Sequence, residues 1–236
     1  MSPEDLDQKL SQGKTESVYF LYGPERFYHI EAIRSLTKIW INEDNRDFNL
    51  ETFEAQSSNV SNWLGSIKTL PFLGGTKLVI VRNLHDVIPK DEDAQSLIDY
   101  ISKPIAGTCL VITADKVDRK RKVYKALTKI KGAVACEAPK ENVLVTWIRD
   151  KAKDQGYAMN TNAARALVNC VGAHPGVLVQ ELNKTLIFVG KNKEVSEKDV
   201  QEVVGETRLE TIFSLTDALK NKNPHKALQL LNNQLD

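Results

Sequence analysis

Apolar residues in the first 139 positions follow two rhythms that take turns. The run Val18-Tyr19-Phe20-Leu21-Tyr22 has no charged or small polar break, the pattern of a strand buried on both faces. Positions 30–41 then set Ile30, Ile33, Leu36, Trp40 and Ile41 at helical spacing, which predicts one apolar stripe. Phe48-Asn49-Leu50-Glu51-Thr52-Phe53 alternates apolar with polar, as a half-buried strand does. Helical spacing returns over 60–67, 94–101 and 123–130. Between and after these lie the strand-like runs Lys77-Leu78-Val79-Ile80-Val81-Arg82, Thr108-Cys109-Leu110-Val111-Ile112-Thr113 and Ala133-Val134-Ala135-Cys136-Glu137. Strands alternating with helices predict an α/β domain with a mainly parallel sheet covered on both faces.

Beyond Pro139 only the helical period remains. Val143, Leu144, Trp147 and Ile148 form one stripe, Ala163, Leu167, Cys170 and Val171 a second, and Leu178, Leu182, Leu186 and Val189 a third, with a short piece at 200–204. A small helical domain is expected. Two further helices are expected from Leu209 and after Pro224, where Asn223 can cap. The second is still amphipathic, through Ala227, Leu228, Leu231 and Leu235, where the sequence ends. An apolar face with nothing left to cover it predicts a domain that is cut short, or a cover supplied by another chain.

Composition narrows the class. With 236 residues, 42% of them hydrophobic and 27% charged, the chain can fill one large or two modest cores and is not disordered. Thirty-two basic residues against thirty-one acidic ones leave a net charge of +1, which excludes a free-standing nucleic-acid binder driven by overall charge. Cys109, Cys136 and Cys170 are odd in number, far apart and in apolar surroundings, so they are expected as reduced core residues. Ser2 capping a helix with Pro3 and acids in its first turn is not a signal peptide, and no apolar run is long enough to cross a bilayer. A cytoplasmic protein without membrane contact is the simplest expectation.

The chemistry is notable for what the first strand lacks. A strand followed by Gly23-Pro24-Glu25-Arg26 and a helix from about Phe27 is where a nucleotide-binding domain writes G-x-x-x-x-G-K-[ST]. The second glycine, the lysine and the hydroxyl residue are absent, so the cradle, the ammonium and the magnesium ligand are absent with them. The strand at 78–81 ends in Arg82-Asn83 rather than in an acidic pair, and Asp91-Glu92-Asp93 reads as a solvated loop. A competing reading is that the fold is unrelated to nucleotides, since Gly-Pro follows many strands. His29, His85, His174 and His225 have no partners at metal-ligand spacing, and no nucleophile motif occurs. No catalytic residue, cofactor or metal is expected.

Two segments suggest contact surfaces. In Leu70-Pro71-Phe72-Leu73 the helical period ends at a proline, and a bulky pair precedes Gly74-Gly75, the makings of an apolar tip for a partner. The alternative is that Phe72 and Leu73 tuck into their own domain. Residues 115–131 hold eight basic and two acidic residues around Arg119-Lys120-Arg121-Lys122, which reads either as a phosphate contact or as a solvated helix start.

The ordered set of segments resembles the delta subunit family of bacterial DNA polymerase III. The resemblance rests on the run from Val18 to Phe27, on Phe48 to Phe53, on Thr69-Leu70-Pro71-Phe72, on Lys77 to Asn83, on the segment from Arg119 to Leu127 and on Glu181-Leu182-Asn183-Lys184. It implies an AAA+-like module of a sliding-clamp loader. Residues 1–140 would be the α/β domain with a degenerate P-loop, 141–208 a helical lid and 209–236 the start of a truncated collar domain. It implies a non-ATPase subunit of a DNA polymerase holoenzyme that binds the sliding clamp through a hydrophobic tip and holds its ring open. The tip falls on Leu70, Pro71, Phe72 and Leu73, and Pro71 departs from members with an aliphatic residue there. Other clamp-loader subunits would be partners through the collar, with DNA reached through the complex. The arginine that many AAA+ ATPases carry on the third lid helix has no counterpart, because no arginine lies between Arg165 and Arg208. An AAA+ ATPase with an atypical loop and a DNA-binding adaptor using the Arg119 segment remain as alternatives.

Overall fold

The computed structural model describes residues 1–72, 74–87, 89, 91–204, 218–220, 224 and 227–228. They belong to two compact units, Met1–Glu137 and Ala138–Asp236.

In the first unit, helix α1 (Pro3–Ser11) opens with a capping box: the Ser2 hydroxyl accepts from the Asp5 N–H and the Asp5 carboxylate accepts from the Ser2 N–H. Strand β1 (Val18–Tyr22) leads into α2 (Arg26–Trp40), and a single helical turn, α3 (Arg46–Asn49), leads into β2 (Leu50–Glu54). Helix α4 (Val60–Lys68) precedes β3 (Lys77–Arg82), α5 (Asp91–Ser102) precedes β4 (Thr108–Ala114), and α6 (Lys122–Leu127) precedes β5 (Ala133–Ala135). The five strands are all parallel in the order β2-β3-β4-β1-β5, with Val18 beside Leu110 and Leu50 beside Leu78. The α/β sheet predicted from periodicity is therefore present.

One face of the sheet packs Phe20, Val79, Leu110 and Ile112 against Trp63, Leu97 and Leu127 of α4, α5 and α6. Helices α1 and α2 pack together at the other side and bury Leu6, Leu10 and Leu36. Each such side chain contributes about 1.5–3 kcal/mol. Trp63 and Tyr124 keep their polar ends satisfied, the indole donating to the Ser58 hydroxyl at 2.7 Å and the phenol to the Leu84 carbonyl at 3.2 Å.

Three local expectations are corrected. The buried face of α2 is Tyr28, His29, Ala32, Leu36 and Thr37, while Ile30 is 58% exposed. Of this polar pair, Thr37 donates its hydroxyl back to the Ile33 carbonyl, while His29 lies 4.0 Å from Asp115 through Nδ1 and its Nε2 is buried without a hydrogen bond. Strand β2 begins only at Leu50, and the alternation is inverted at its start, with Phe48 exposed and Asn49 buried. Asp91, Glu92 and Asp93 are the first turn of α5, not a loop, where acids complement the helix dipole.

The second unit packs α7 (Glu141–Asp154), α8 (Thr161–Val171), α9 (Pro175–Val189) and α10 (Glu197–Val204) around Leu144, Ile148, Leu167, Leu178, Leu182 and Val200. It is not purely helical. Two-residue strands β6 (Ala158–Met159) and β7 (Glu194–Val195) pair in parallel and clip the chain before α8 to the chain before α10. Val143, expected in the apolar stripe, is 44% exposed. The helices expected after residue 208 lie largely outside the described residues; Ala227 is buried there and Leu228 is exposed.

Cys109 and Cys136 are buried free thiols, and Cys170 is half-buried. Burial pushes the Cys109 thiol well above its ordinary range and that of Cys136 up to about 12, so both are unreactive core residues. Among the described residues no helix is long and apolar enough to cross a membrane, and no group of His, Cys, Asp or Glu is arranged to hold a metal ion.

Candidate functional site

Parallel strands give the sheet two chemically different edges. The amino edge carries the segment that joins α4 to β3. Leu70 is 89% exposed and Phe72 47% exposed, with Pro71 half-buried between them; Leu73 lies outside the described residues. The segment sits on a fixed base. The Asn49 side chain accepts from the Phe72 N–H at 2.7 Å and donates to the Phe72 carbonyl at 3.2 Å, so one amide reproduces a strand neighbour. Thr76 donates to the Trp40 carbonyl. Lys77, nearly buried, reaches the Thr69 hydroxyl and the Glu51 carboxylate at 2.6 Å each. Burial works to raise the Glu51 pKa, but the Lys77 and Ser66 contacts outweigh it and hold the carboxyl below its ordinary value. The turn between the tip and β3 uses Gly74 and Gly75 at φ 77° and 84°, where a side chain would strain the backbone.

Phe48 joins this surface. It is 59% exposed, and its ring centroid lies 4.5 Å from that of Phe72 with the planes 30° apart. Sequence reasoning misses it, because the alternating pattern puts both Phe48 and Asn49 inside a strand. No local signal links them to Phe72, 23 residues further on from Asn49.

The carboxyl edge holds the loop after β1. Gly23 has φ 128°, and a Cβ there would lie 2.3 Å from the Cys136 carbonyl oxygen, so this glycine serves close packing on the chain after β5. The Glu25 N–H donates to the same carbonyl at 3.0 Å. The Glu25 carboxylate accepts from the Phe27 N–H at 3.1 Å, which places the protein's own anion at the helix start that a phosphate occupies in a P-loop. Arg26 donates from Nε and Nη2 to Asp115 Oδ2 at 2.8 and 2.6 Å. Asp115 in turn donates its N–H to His85 Nδ1 at 3.1 Å and lies 4.0 Å from His29 Nδ1. Asn83, at the end of β3, takes a left-handed conformation and donates its amide to Glu54 at 3.0 Å.

The basic segment also lies past this edge. Arg119, Lys120 and Lys122 are exposed and Arg121 is half-buried at the N-cap of α6. Asp118 neutralises part of it, accepting from the Lys120 N–H at 3.0 Å and from Arg121 Nε at 3.2 Å. Those contacts hold the Asp118 carboxyl below its ordinary value. A groove of about 410 Å³ beside it is lined by Asp91 and Gln95 as well as by Lys120, Arg121 and Lys122. The four cations are thus close together but share their surroundings with two carboxylates.

Residues 19–137 match the family model of the DNA polymerase III delta subunit. The chain belongs to that family. It is 28% identical over 236 residues to the DNA polymerase III subunit delta of Bacillus subtilis, covering 96% of this chain and 67% of the relative. The solved structure of the Bacillus subtilis DNA clamp loader delta protein superposes with a TM-score of 0.75 at 26% identity, covering 99% of this chain and 71% of that one. The RuvB Holliday junction branch migration motor of Thermotoga maritima shares the fold alone, with a TM-score of 0.53 at 13% identity over 93% of this chain and 76% of that one. The family assignment and the likeness in fold to the clamp loader delta protein therefore agree.

Proposed function

We propose that this chain is the clamp-contacting subunit of a sliding-clamp loader. It binds the ring-shaped clamp through Leu70, Pro71, Phe72 and Leu73 and holds one ring interface open during DNA replication without hydrolysing ATP itself. The observation that carries this reading is the exposure of Leu70 and Phe72 on a base tied down by Asn49 and Lys77. A desolvatable tip on a rigid support is what an interface hot spot needs. The names of its relatives, a polymerase III delta subunit and a clamp loader delta protein, support the same reading. Its partners are then the sliding clamp and the other loader subunits, with DNA reached through the complex. In this reading residues 1–140 are the AAA+-like domain, 141–208 the lid and 209–236 the start of the collar.

The Glu25 carboxylate at the start of α2 argues against the reading as an ATPase with an atypical loop, since a phosphate there would meet a fixed negative charge. The Asp118 and Asp91 carboxylates beside Arg119–Lys122 weaken the DNA-adaptor reading in the same way. The experiment is a binding titration of the whole chain against the sliding clamp encoded in the same genome, with and without ATP. Saturable binding that ATP does not alter is expected.

A further inference from the structure

We propose that Phe48 is a second aromatic anchor of the clamp-contact surface and that Asn49 is the residue that positions Phe72 beside it. This rests on the reading above. Phenylalanine is ordinarily drawn into a core, yet Phe48 and Phe72 are 59% and 47% exposed while lying ring against ring at 4.5 Å. Neither hides the other. The two rings make one exposed apolar patch from two chain segments, with exposed Leu70 two residues before Phe72, and the charged Asp47 and Lys68 nearby in sequence are exposed. An uncharged aromatic centre inside a polar rim is the composition of a protein interface core.

Asn49 explains why the patch is held ready. It is 3% exposed, and both ends of its amide are spent on the main chain of one exposed residue. Both polar ends of this buried side chain serve Phe72. What they supply is a fixed Phe72, whose ordering cost is then met before the partner arrives. Register provides the juxtaposition: Leu50 and Leu78 are neighbours on β2 and β3, so the segments entering these strands meet at the same edge. The occupant that fits is an apolar pocket on the clamp, the partner already assigned to the adjoining Leu70-Pro71-Phe72.

The test compares the whole chain with Phe48→Ala, Phe72→Ala, the double variant, Asn49→Ala and Asn49→Asp for clamp binding by surface plasmon resonance, with melting temperature and sedimentation measured in parallel. Phe48→Ala is expected to weaken clamp binding by about tenfold or more at an unchanged melting temperature. The double variant should lose less than the product of the single losses, because the rings act as a pair. Asn49→Ala should lower clamp affinity and also shrink the effect of Phe72→Ala in its background. A role confined to stability would lower the melting temperature and leave the Phe72 effect intact. Should Asn49→Ala fail to fold, Asn49→Asp keeps an acceptor for the Phe72 N–H but sets an oxygen against the Phe72 carbonyl in place of the donor, and a loss of clamp affinity with a smaller Phe72→Ala effect is expected there too. Full-strength binding by Phe48→Ala while Phe72→Ala is lost would overturn the inference and leave the clamp reading standing. No clamp binding by the unaltered chain, or none lost in Phe72→Ala, would overturn both. A wild-type dimer that Phe48→Ala converts to monomer would show the patch to be a self-association surface and would also overturn the inference.

Discussion

Arg26 and Asp115 close the carboxyl edge of the sheet across 89 residues of sequence, two guanidinium nitrogens meeting one carboxylate oxygen at 2.8 and 2.6 Å. A nucleotide-binding loop would turn its cations toward phosphate at this place. Here the first cation after β1 is committed to an internal acid, and the helix start is committed to Glu25. The purified chain is therefore expected to show no saturable, magnesium-dependent binding of ATP in calorimetry. A defined isotherm with a stoichiometry near one would contradict this account of the loop.

Gly23 carries a different kind of constraint. Its backbone lies at positive φ, and any Cβ would stand only 2.3 Å from the Cys136 carbonyl oxygen, so no side chain fits. Gly23→Ala is expected to destabilise the first unit by roughly 2–5 kcal/mol, through strain and loss of close packing. Urea unfolding measures it, and a change under about 0.5 kcal/mol, the range of neutral surface substitutions, would show that the close approach relaxes at no cost.

His29 predicts an acid sensitivity. Burial pushes its pKa below the ordinary 6.5, and Arg26 and His85 push the same way, while Asp115 and the Gly23 backbone oppose them. The unfolded chain therefore binds a proton more readily than the folded one, and stability falls as pH drops through about 6.5 toward the lower folded value. Above that range His29 adds no slope. His29→Gln is expected to flatten this part of the melting temperature profile between about pH 7.5 and 5.5. A profile that steepens, or a wild type that gains stability on acidification through the same range, would mean that the Asp115 contact dominates.

The basic segment and the tip lie at opposite edges of the sheet, separated by the length of a five-residue strand such as β2, about 17 Å. Changing Arg119, Lys120 and Arg121 to alanine together is expected to leave affinity for the isolated clamp within about twofold of wild type, an effect of less than about 0.5 kcal/mol. Loss of clamp binding in a folded triple variant would place this segment in the interface.

How much of this is legible in the sequence depends on whether the information is local. Strands β1, β3 and β4 announce themselves because a strand in the middle of a parallel sheet is covered on both sides, which leaves an unbroken apolar run. Edge strand β2 is covered less, and its short alternating run reads two residues too long, into α3. Periodicity misjudges the α2 face because His29 and Thr37 are buried through contacts that hydropathy does not encode. Strands β6 and β7, two residues each, are too short for any period to register. At the tip, the proline and the paired glycines mark the turn, so Leu70 and Phe72 can be picked out. Phe48 and Asn49 cannot, since their roles exist only once β2 and β3 are aligned side by side.

The central claim, that an exposed apolar tip on a fixed base binds the sliding clamp, is tested most directly by the clamp affinity of the Leu70→Ala/Phe72→Ala chain. Both side chains are exposed, so the melting temperature should stay close to wild type while affinity falls by at least about a hundredfold, roughly 2.8 kcal/mol. A folded double variant that binds the clamp as tightly as the unaltered chain would contradict the account.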